Sequence, residues 1–440
     1  MITSIGVRAL LQASALLVAA ATSPRAARRL APFVSPTVAA LQDAMRQGKP
    51  GAEAEFWMSV HRAGTPLVEP IPGDTTNVLF TFVWRGDSAT RNVALVNAAI
   101  ASERPAEALL TRIAGTNVWY RSYEARADAR FAYELSVNDN LVPFDSVTDW
   151  DARSATFHKD PFNKRIYEAT IFGRDVSYAE GPRAPREEWI EARPGAPKGR
   201  VEQTTFESKV LGTTRYVWVY TPPGYDSLAR GASGLPLLLT FDGGEFVGSV
   251  PVPTILDNLL AARRIAPMVA VFVGSPEGQR DVELAANERY AEFIATELVP
   301  WARSRLRIAE SPEHNVVAGS SLGGLAAAFI ALRHPELFGN VLSQSGAFMF
   351  SPRDDPRPER LIRDLAAAPR RDVTFYLEAG IFENVRFQNG VDLLSSNRHL
   401  RDALREKGYR VTYDEFAGGH SDLNWRSGFA KGLLALVGRP

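Results

Sequence analysis

The sequence predicts two folded domains, an all-β sandwich followed by an α/β domain built on a largely parallel sheet. Three observations predict this. From about Phe56 to residue 180, short aromatic and β-branched runs are separated by Gly, Asn and Asp. A Pro- and Gly-rich stretch, 181–199, sustains neither ladder nor helix and reads as a linker. From residue 200 to 440, near-continuous apolar runs alternate with helical stretches, as expected where helices cover both faces of a parallel sheet.

The elements follow in order. Arg8 precedes a small, apolar run from Ala9 to Ala21 that ends in Ala19-Ala20-Ala21-Thr22-Ser23, so residues 1–23 read as an export leader with an A-x-A-like cleavage site. The alternative is a frayed helix of a cytoplasmic protein, because Gln12 interrupts the run. The run is too short to span a membrane, and no later segment is long and apolar enough to do so. The sandwich domain is assigned to 24–180, with a leading helix over Pro36 to Arg46, capped by Ser35 and followed by Gly48. Its strands are expected at 78–84, 117–120 and 130–135, in an immunoglobulin-like arrangement. In the second domain strands are expected at 216–220, 237–241, 268–273, 315–318, 341–345, 373–377 and 410–416, with helices over 289–305 and 322–333.

Composition narrows the function classes. Fifty basic residues balance fifty acidic ones, so no strongly basic surface for nucleic acid is expected. The chain has no cysteine, which excludes disulfides, thiolate metal sites and a cysteine nucleophile. Its six histidines confine imidazole chemistry to His61, His158, His314, His334, His399 and His420.

The sharpest chemical signal is Gly319-Ser320-Ser321-Leu322-Gly323-Gly324, between the strand Val316-Val317-Ala318 and a small-residue helix. This is a G-x-S-x-G nucleophile elbow in its required setting, and it makes the second domain an α/β-hydrolase with Ser321 as nucleophile. A serine hydroxyl needs a base, and in this fold the histidine follows the last strand. His420, in Gly418-Gly419-His420-Ser421, holds that position. The acid should follow the preceding strand, where Glu383 sits past a glycine turn and Glu378 at the strand end; chain order favours Glu383, with Glu378 as the alternative. Two backbone N–H groups should form the oxyanion hole: Leu322, after the nucleophile, and Gly243, or alternatively Gly244, after the strand ending at Phe241. No metal or cofactor is called for.

These segments resemble the enterochelin esterase family, a branch of esterase D-like hydrolases acting on iron siderophores. The likeness runs from about Phe56 to Gly438. In the catalytic half it rests on Leu239-Thr240-Phe241-Asp242-Gly243, Arg280-Asp281-Val282-Glu283, the elbow, Glu378-Ala379-Gly380-Ile381-Phe382-Glu383 and Gly418-Gly419-His420 with Asn424-Trp425-Arg426. In the first half it rests on Phe56-Trp57, Gly64 to Pro70, Thr116 to Tyr123 and Asp160-Pro161-Phe162-Asn163. The resemblance implies a trilactone catecholate siderophore as small-molecule substrate, cut at its ester bonds to release iron, with Ser321, His420 and Glu383 as triad. It also marks Arg280, Glu283 and Arg426 as candidate substrate contacts, although R-x-x-E unaided reads as a salt bridge. Ser421 and Asp422 stand where the family has an aspartate directly after the histidine, and Gly244-Glu245 where it has Gln and an aromatic. The leader is similar to that of exported, periplasmic members. Two rival expectations are a feruloyl- or acetyl-type carbohydrate esterase, which predicts exposed aromatic platforms on the sandwich, and a non-catalytic binding protein that retained the fold.

Overall fold

The computed structural model describes residues 34–169, 173–231, 234–352, 355, 357–385, 387 and 389–439, so the leader read in residues 1–23 lies outside the described residues. The chain divides into two compact units: one holds the residues up to Pro185 together with Ala417–Ser421, the other Arg186–Phe416 with Asp422 onward.

The first unit opens as its sequence dictates. Ser35 Oγ accepts from the N–H of Val38 (3.2 Å), capping helix α1, Pro36–Arg46, whose proline stands in the first turn where no N–H is needed. A second helix, α2, Ala52–Ala63, lies where the sequence suggested the onset of strands. Its start carries no Ser, Thr, Asp or Asn cap; Gly51 takes that place with φ 76°, so the usual start signal is missing. What holds α2 is burial of Ala52, Phe56, Trp57 and Val60 against Val38 and Leu41 of α1 and Leu67, Val83 and Val118.

Among the described residues nine strands follow: β1 Leu67–Ile71, β2 Asp74–Arg85, β3 Val93–Val96, β4 Thr111–Arg112, β5 Val118–Arg126, β6 Arg130–Val137, β7 Phe157–His158, β8 Ile166–Ala169 and β9 Arg174–Glu180. They form two antiparallel sheets, ordered β1-β2-β5-β4 and β3-β6-β9-β8, with β7 beside β6. The sheets face each other through aromatic pairs, Phe80 with Phe131 (5.2 Å) and Phe82 with Tyr133 (4.7 Å). This is the expected sandwich. Several of its family-like residues are fastenings of the fold: Phe162 stacks on Trp57 (5.3 Å), Tyr133 donates to Asp160 Oδ2 (2.7 Å), and Asn163 Nδ2 donates to Tyr133 Oη (3.0 Å).

In the second unit eight strands make one sheet: β10 Arg200–Ser208, β11 Thr213–Thr221, β12 Leu237–Thr240, β13 Val269–Val273, β14 Val316–Ser320, β15 Asn340–Gln344, β16 Thr374–Gly380 and β17 Arg410–Phe416. Their order is β10-β11-β13-β12-β14-β15-β16-β17, with β11 antiparallel to both its neighbours, β10 and β13, and the remaining pairings parallel. Strand β10 carried no sequence signal because it is an almost wholly exposed edge, held by its hairpin with β11. The central strands β12 to β15 are buried at every position, which is why β12 and β13 read as near-continuous apolar runs, while β15 buries Asn340, Ser343 and Gln344 as well.

Helices cover both faces. On one, α4 (Val252–Ala261) and α7 (Asp422–Val437) close a core of Leu238, Phe272, Ala318, Leu342 and Tyr376 with Ile255, Leu256, Trp425 and Phe429. The other helices named below are α3, Gly243–Val247; α5, Leu322–Arg333, packed on β14 and β15; and α6, Leu393–Glu406, packed on β16 and β17. The helix expected over 289–305 is present as Glu288–Phe293, a π-helical turn Ile294–Leu298, and Val299–Arg305.

Candidate active site

Strand β14 runs directly into α5 through Ser321, whose backbone takes φ 56° and ψ −123°, a conformation that L-residues adopt only when the surroundings impose it. The surroundings do so from both sides. Ser321 N–H donates to the Gln344 carbonyl (2.9 Å), and its own carbonyl accepts from Ala347 (2.9 Å) and Leu325 (3.2 Å). Glycine lets strand and helix close on each other: a Cβ on Gly319 would lie 2.5 Å from the Gly323 carbonyl carbon, and one on Gly324 would collide with Ser343 Oγ. Ser321 itself is only 4% exposed. This is the expected elbow.

Beside it, β12 ends in a second special turn. Asp242 sits in the left-handed region (φ 52°, ψ 47°) and α3 starts at Gly243. The two turns adjoin, because β12 and β14 are paired neighbours and Gly323 lies against Asp242 and Phe241 (a Cβ there would stand 3.4 Å from Asp242 Oδ2). Gly243 is sterically committed, since a Cβ on it would meet the Trp218 indole at 2.7 Å; Gly244 is not, its nearest neighbour standing at 3.9 Å. Asp242 is clamped by Arg280 in a bidentate pair, Nε to Oδ1 and Nη2 to Oδ2, both 2.7 Å. Next on α3, the half-buried Glu245 keeps its Oε1 shielded from solvent without a hydrogen-bond partner. Burial first, and the Asp242 and Asp422 charges second, push its carboxyl well above the usual carboxylate range against the pull of Arg280.

The two candidate acids have different surroundings. Glu378, near the end of β16, is 1% exposed, accepts from Gln344 Nε2 (2.6 Å) and Tyr376 Oη (2.9 Å), and packs so tightly on Gly428 of α7 that a Cβ there would overlap its carboxylate. Burial raises its carboxyl from the ordinary 4.5 to about 7, opposed by those two hydrogen bonds. It faces the core under α7. Glu383 lies in the turn beyond β16: its N–H donates to the Gly380 carbonyl (3.0 Å), its Oε2 accepts from Gly380 N–H (2.9 Å), and its carbonyl accepts from Leu394 of α6 (3.0 Å). Ile381 N–H donates to the Phe416 carbonyl (2.9 Å), so this turn adjoins the end of β17.

His420 follows β17 in the segment Ala417–Ser421, which packs with the first unit: Arg130 N–H donates to the Ala417 carbonyl (2.9 Å), and a Cβ on Gly419 would meet Ala99 Cβ at 2.5 Å. Its side chain is exposed. The other histidines have different settings; His334 pairs with Glu336 (2.9 Å) and His399 with Glu359 (2.6 Å), for example.

The R-x-x-E pair does not form. Arg280 goes to Asp242, while Glu283 accepts both arms of the buried Arg215 at 2.9 Å. Arg426 holds Glu187 in a bidentate pair, both contacts 2.7 Å. Sequence reasoning missed Asp242 and Trp218, which brace the turn at Gly243; an Asp directly before Gly-Gly was the available signal for the first.

A serine on a strained strand-to-helix turn, over a mostly parallel sheet and next to a glycine turn, defines the class: the protein is a carboxylic ester hydrolase, and the Esterase family model matches residues 208–436. The model described as enterochelin esterase, N-terminal, matches residues 79–190. The chain is 30% identical over 421 residues to an iron(III) enterobactin esterase of Dickeya dadantii, covering 88% of this chain and 93% of that one. It is 25% identical to an iron(III) salmochelin esterase of Escherichia coli, over 91% of this chain and 98% of the relative. The crystal structure of ferric enterobactin esterase from Salmonella typhimurium superposes with a TM-score of 0.73 at 26% identity, covering 87% and 98% of the two chains. That of the Shigella flexneri enterobactin esterase in the presence of enterobactin gives 0.70 at 27%, covering 88% and 98%. The chain belongs to the enterochelin esterase family.

Proposed function

We propose that this esterase hydrolyses the ester bonds of a trilactone catecholate siderophore and so releases its iron, by acyl-enzyme chemistry at Ser321. The elbow at Ser321 carries the mechanism, and relatives named for enterobactin and salmochelin support the substrate class. Ser321 Oγ attacks the ester carbonyl while His420 takes its proton and then gives it to the departing alkoxide oxygen of the substrate. Water, deprotonated by the same imidazole, then frees the acid and restores Ser321. Leu322 and Gly243, first residues of α5 and α3, have N–H groups that no preceding turn of helix satisfies, and these stabilise the oxyanion. Glu383 fixes the imidazole tautomer; Glu378, held by Gln344 and Tyr376, does not serve. Arg280 acts through Asp242, bracing the oxyanion turn. The leader directs export to the periplasm.

The carbohydrate-esterase rival predicts aromatic platforms on the sandwich. Among the described residues, the large apolar side chains most exposed on that domain are Val34, Met58, Val68 and Ile166, none of them aromatic.

The test is incubation of the purified protein with ferric trilactone siderophore, with products identified by liquid chromatography and mass spectrometry. Linear fragments are expected from wild type, with Ser321→Ala retaining only a residual rate about 10³–10⁴-fold over water. An intact trilactone alongside cleaved feruloyl or acetyl esters would overturn the substrate class and leave the esterase standing.

A further inference from the structure

Strand β11 runs antiparallel to β13 in the register Val217 to Val273 and Trp218 to Phe272, so its first residues lie beside the last of β13. That is the edge of the sheet where β12 hands over to Asp242 and β14 to Ser321. Tyr216, Trp218 and Tyr220 alternate along β11 and share one face. They go from buried to exposed toward that edge. Tyr220 is fully buried and donates to Asp257 (2.7 Å). Trp218 is half-buried with its indole laid over Gly243 and Gly274. Tyr216 is 57% exposed, its ring centroid 6.1 Å from that of Trp218 and the planes 47° apart.

Among the described residues Tyr216 is the one exposed Phe, Tyr or Trp. Its backbone is fixed, because its carbonyl accepts from Gly274 N–H (3.0 Å). A ring on a fixed stretch of backbone is thus held in water, backed by a second ring that lies against Gly243.

We infer that Tyr216, backed by Trp218, is a subsite that stacks one aromatic acyl arm of the substrate beside the oxyanion turn. This rests on the proposed reading of the substrate as a tricatecholate. A catechol ring is flat, electron-rich and of the size to pair with a tyrosine ring in an offset or edge geometry. The subsite acts on binding, since Tyr216 makes no backbone contribution to the oxyanion hole.

Kinetics of wild type, Tyr216→Ala and Tyr216→Phe on ferric trilactone siderophore and on vinyl butyrate, an ester with no ring, test it. The expected result is a KM for the siderophore raised about three- to tenfold by Tyr216→Ala, with kcat held, vinyl butyrate kinetics unchanged, and Tyr216→Phe matching wild type. An unchanged siderophore KM in Tyr216→Ala overturns the subsite alone, as does an equal rise on both substrates, which would mean that the variant distorts the Gly243 turn through Trp218. A wild type that turns over vinyl butyrate but leaves the trilactone intact overturns the subsite and the proposed substrate together.

Discussion

Replacing Gly319 by alanine should be far more damaging than replacing Gly323 by alanine, although both glycines belong to the same elbow signature. A Cβ on Gly319 would stand 2.5 Å from the Gly323 carbonyl carbon, 2.6 Å from its oxygen and 2.9 Å from its Cα. Carbon atoms rest at about 3.5–4.0 Å, so β14 and the first turn of α5 must part by roughly an ångström. All three opposing atoms are backbone, and no rotamer change relieves the clash. Overpacking of this kind costs about 1–3 kcal/mol, and a displacement of about 1 Å at the nucleophile costs about 10²-fold in turnover. A Cβ on Gly323 meets only ordinary contacts, Asp242 Oδ2 at 3.4 Å and Phe241 Cβ at 3.6 Å. It also gains helix propensity of about 1 kcal/mol, so that variant should stay within about 1 kcal/mol of wild type. Urea unfolding followed by circular dichroism, with vinyl butyrate turnover on the same samples, measures both quantities. A Gly319→Ala protein as stable and active as wild type, or a Gly323→Ala protein worse than Gly319→Ala, would refute the steric reasoning.

The same distinction applies at the neighbouring turn: Gly243→Ala should lower kcat by about 10²-fold through the Trp218 clash, while Gly244→Ala, with 3.9 Å of clearance, keeps turnover close to wild type. Steady-state rates decide it, and equal losses would remove Gly243 from the oxyanion assignment. Glu383→Ala should lower kcat by about 10²–10⁴-fold, whereas Glu378→Gln should leave the chemical step intact and change the pH dependence of stability. The folded Glu378 carboxyl, raised from 4.5 to about 7, binds its proton more tightly than the unfolded chain does. Its contribution is therefore complete below pH 4.5 and lost as pH rises through 7. The stability of wild type relative to Glu378→Gln should fall by about 3 kcal/mol across that window; parallel unfolding curves would contradict the assignment.

What sequence order encodes locally was legible. Ser35 and Pro36 announced α1, the apolar runs announced the central strands, and the elbow appeared with its strand and helix in place. Elements without a local signal were not legible. Helix α2 begins at a left-handed glycine with no side-chain cap, and β10 is a polar edge held by its partner strand and by Phe206 against Phe293 and Trp301, residues far along the chain.

The sequence by itself determined the two-domain order, the sandwich and α/β architectures, and Ser321 as the residue on the strained turn, because these follow from short-range periodicity and from residues adjacent in the chain. Only the tertiary structure decided which groups are already engaged. Glu378 is held by Gln344, 34 residues away; Arg280 is held by Asp242, 38 away; and Glu283 is held by Arg215, 68 away. It also decided which elbow glycines are obligatory. A carboxylate's partners and a glycine's clearance are set by atoms brought near through packing of the sheet and helices, and no local pattern in the chain carries that information.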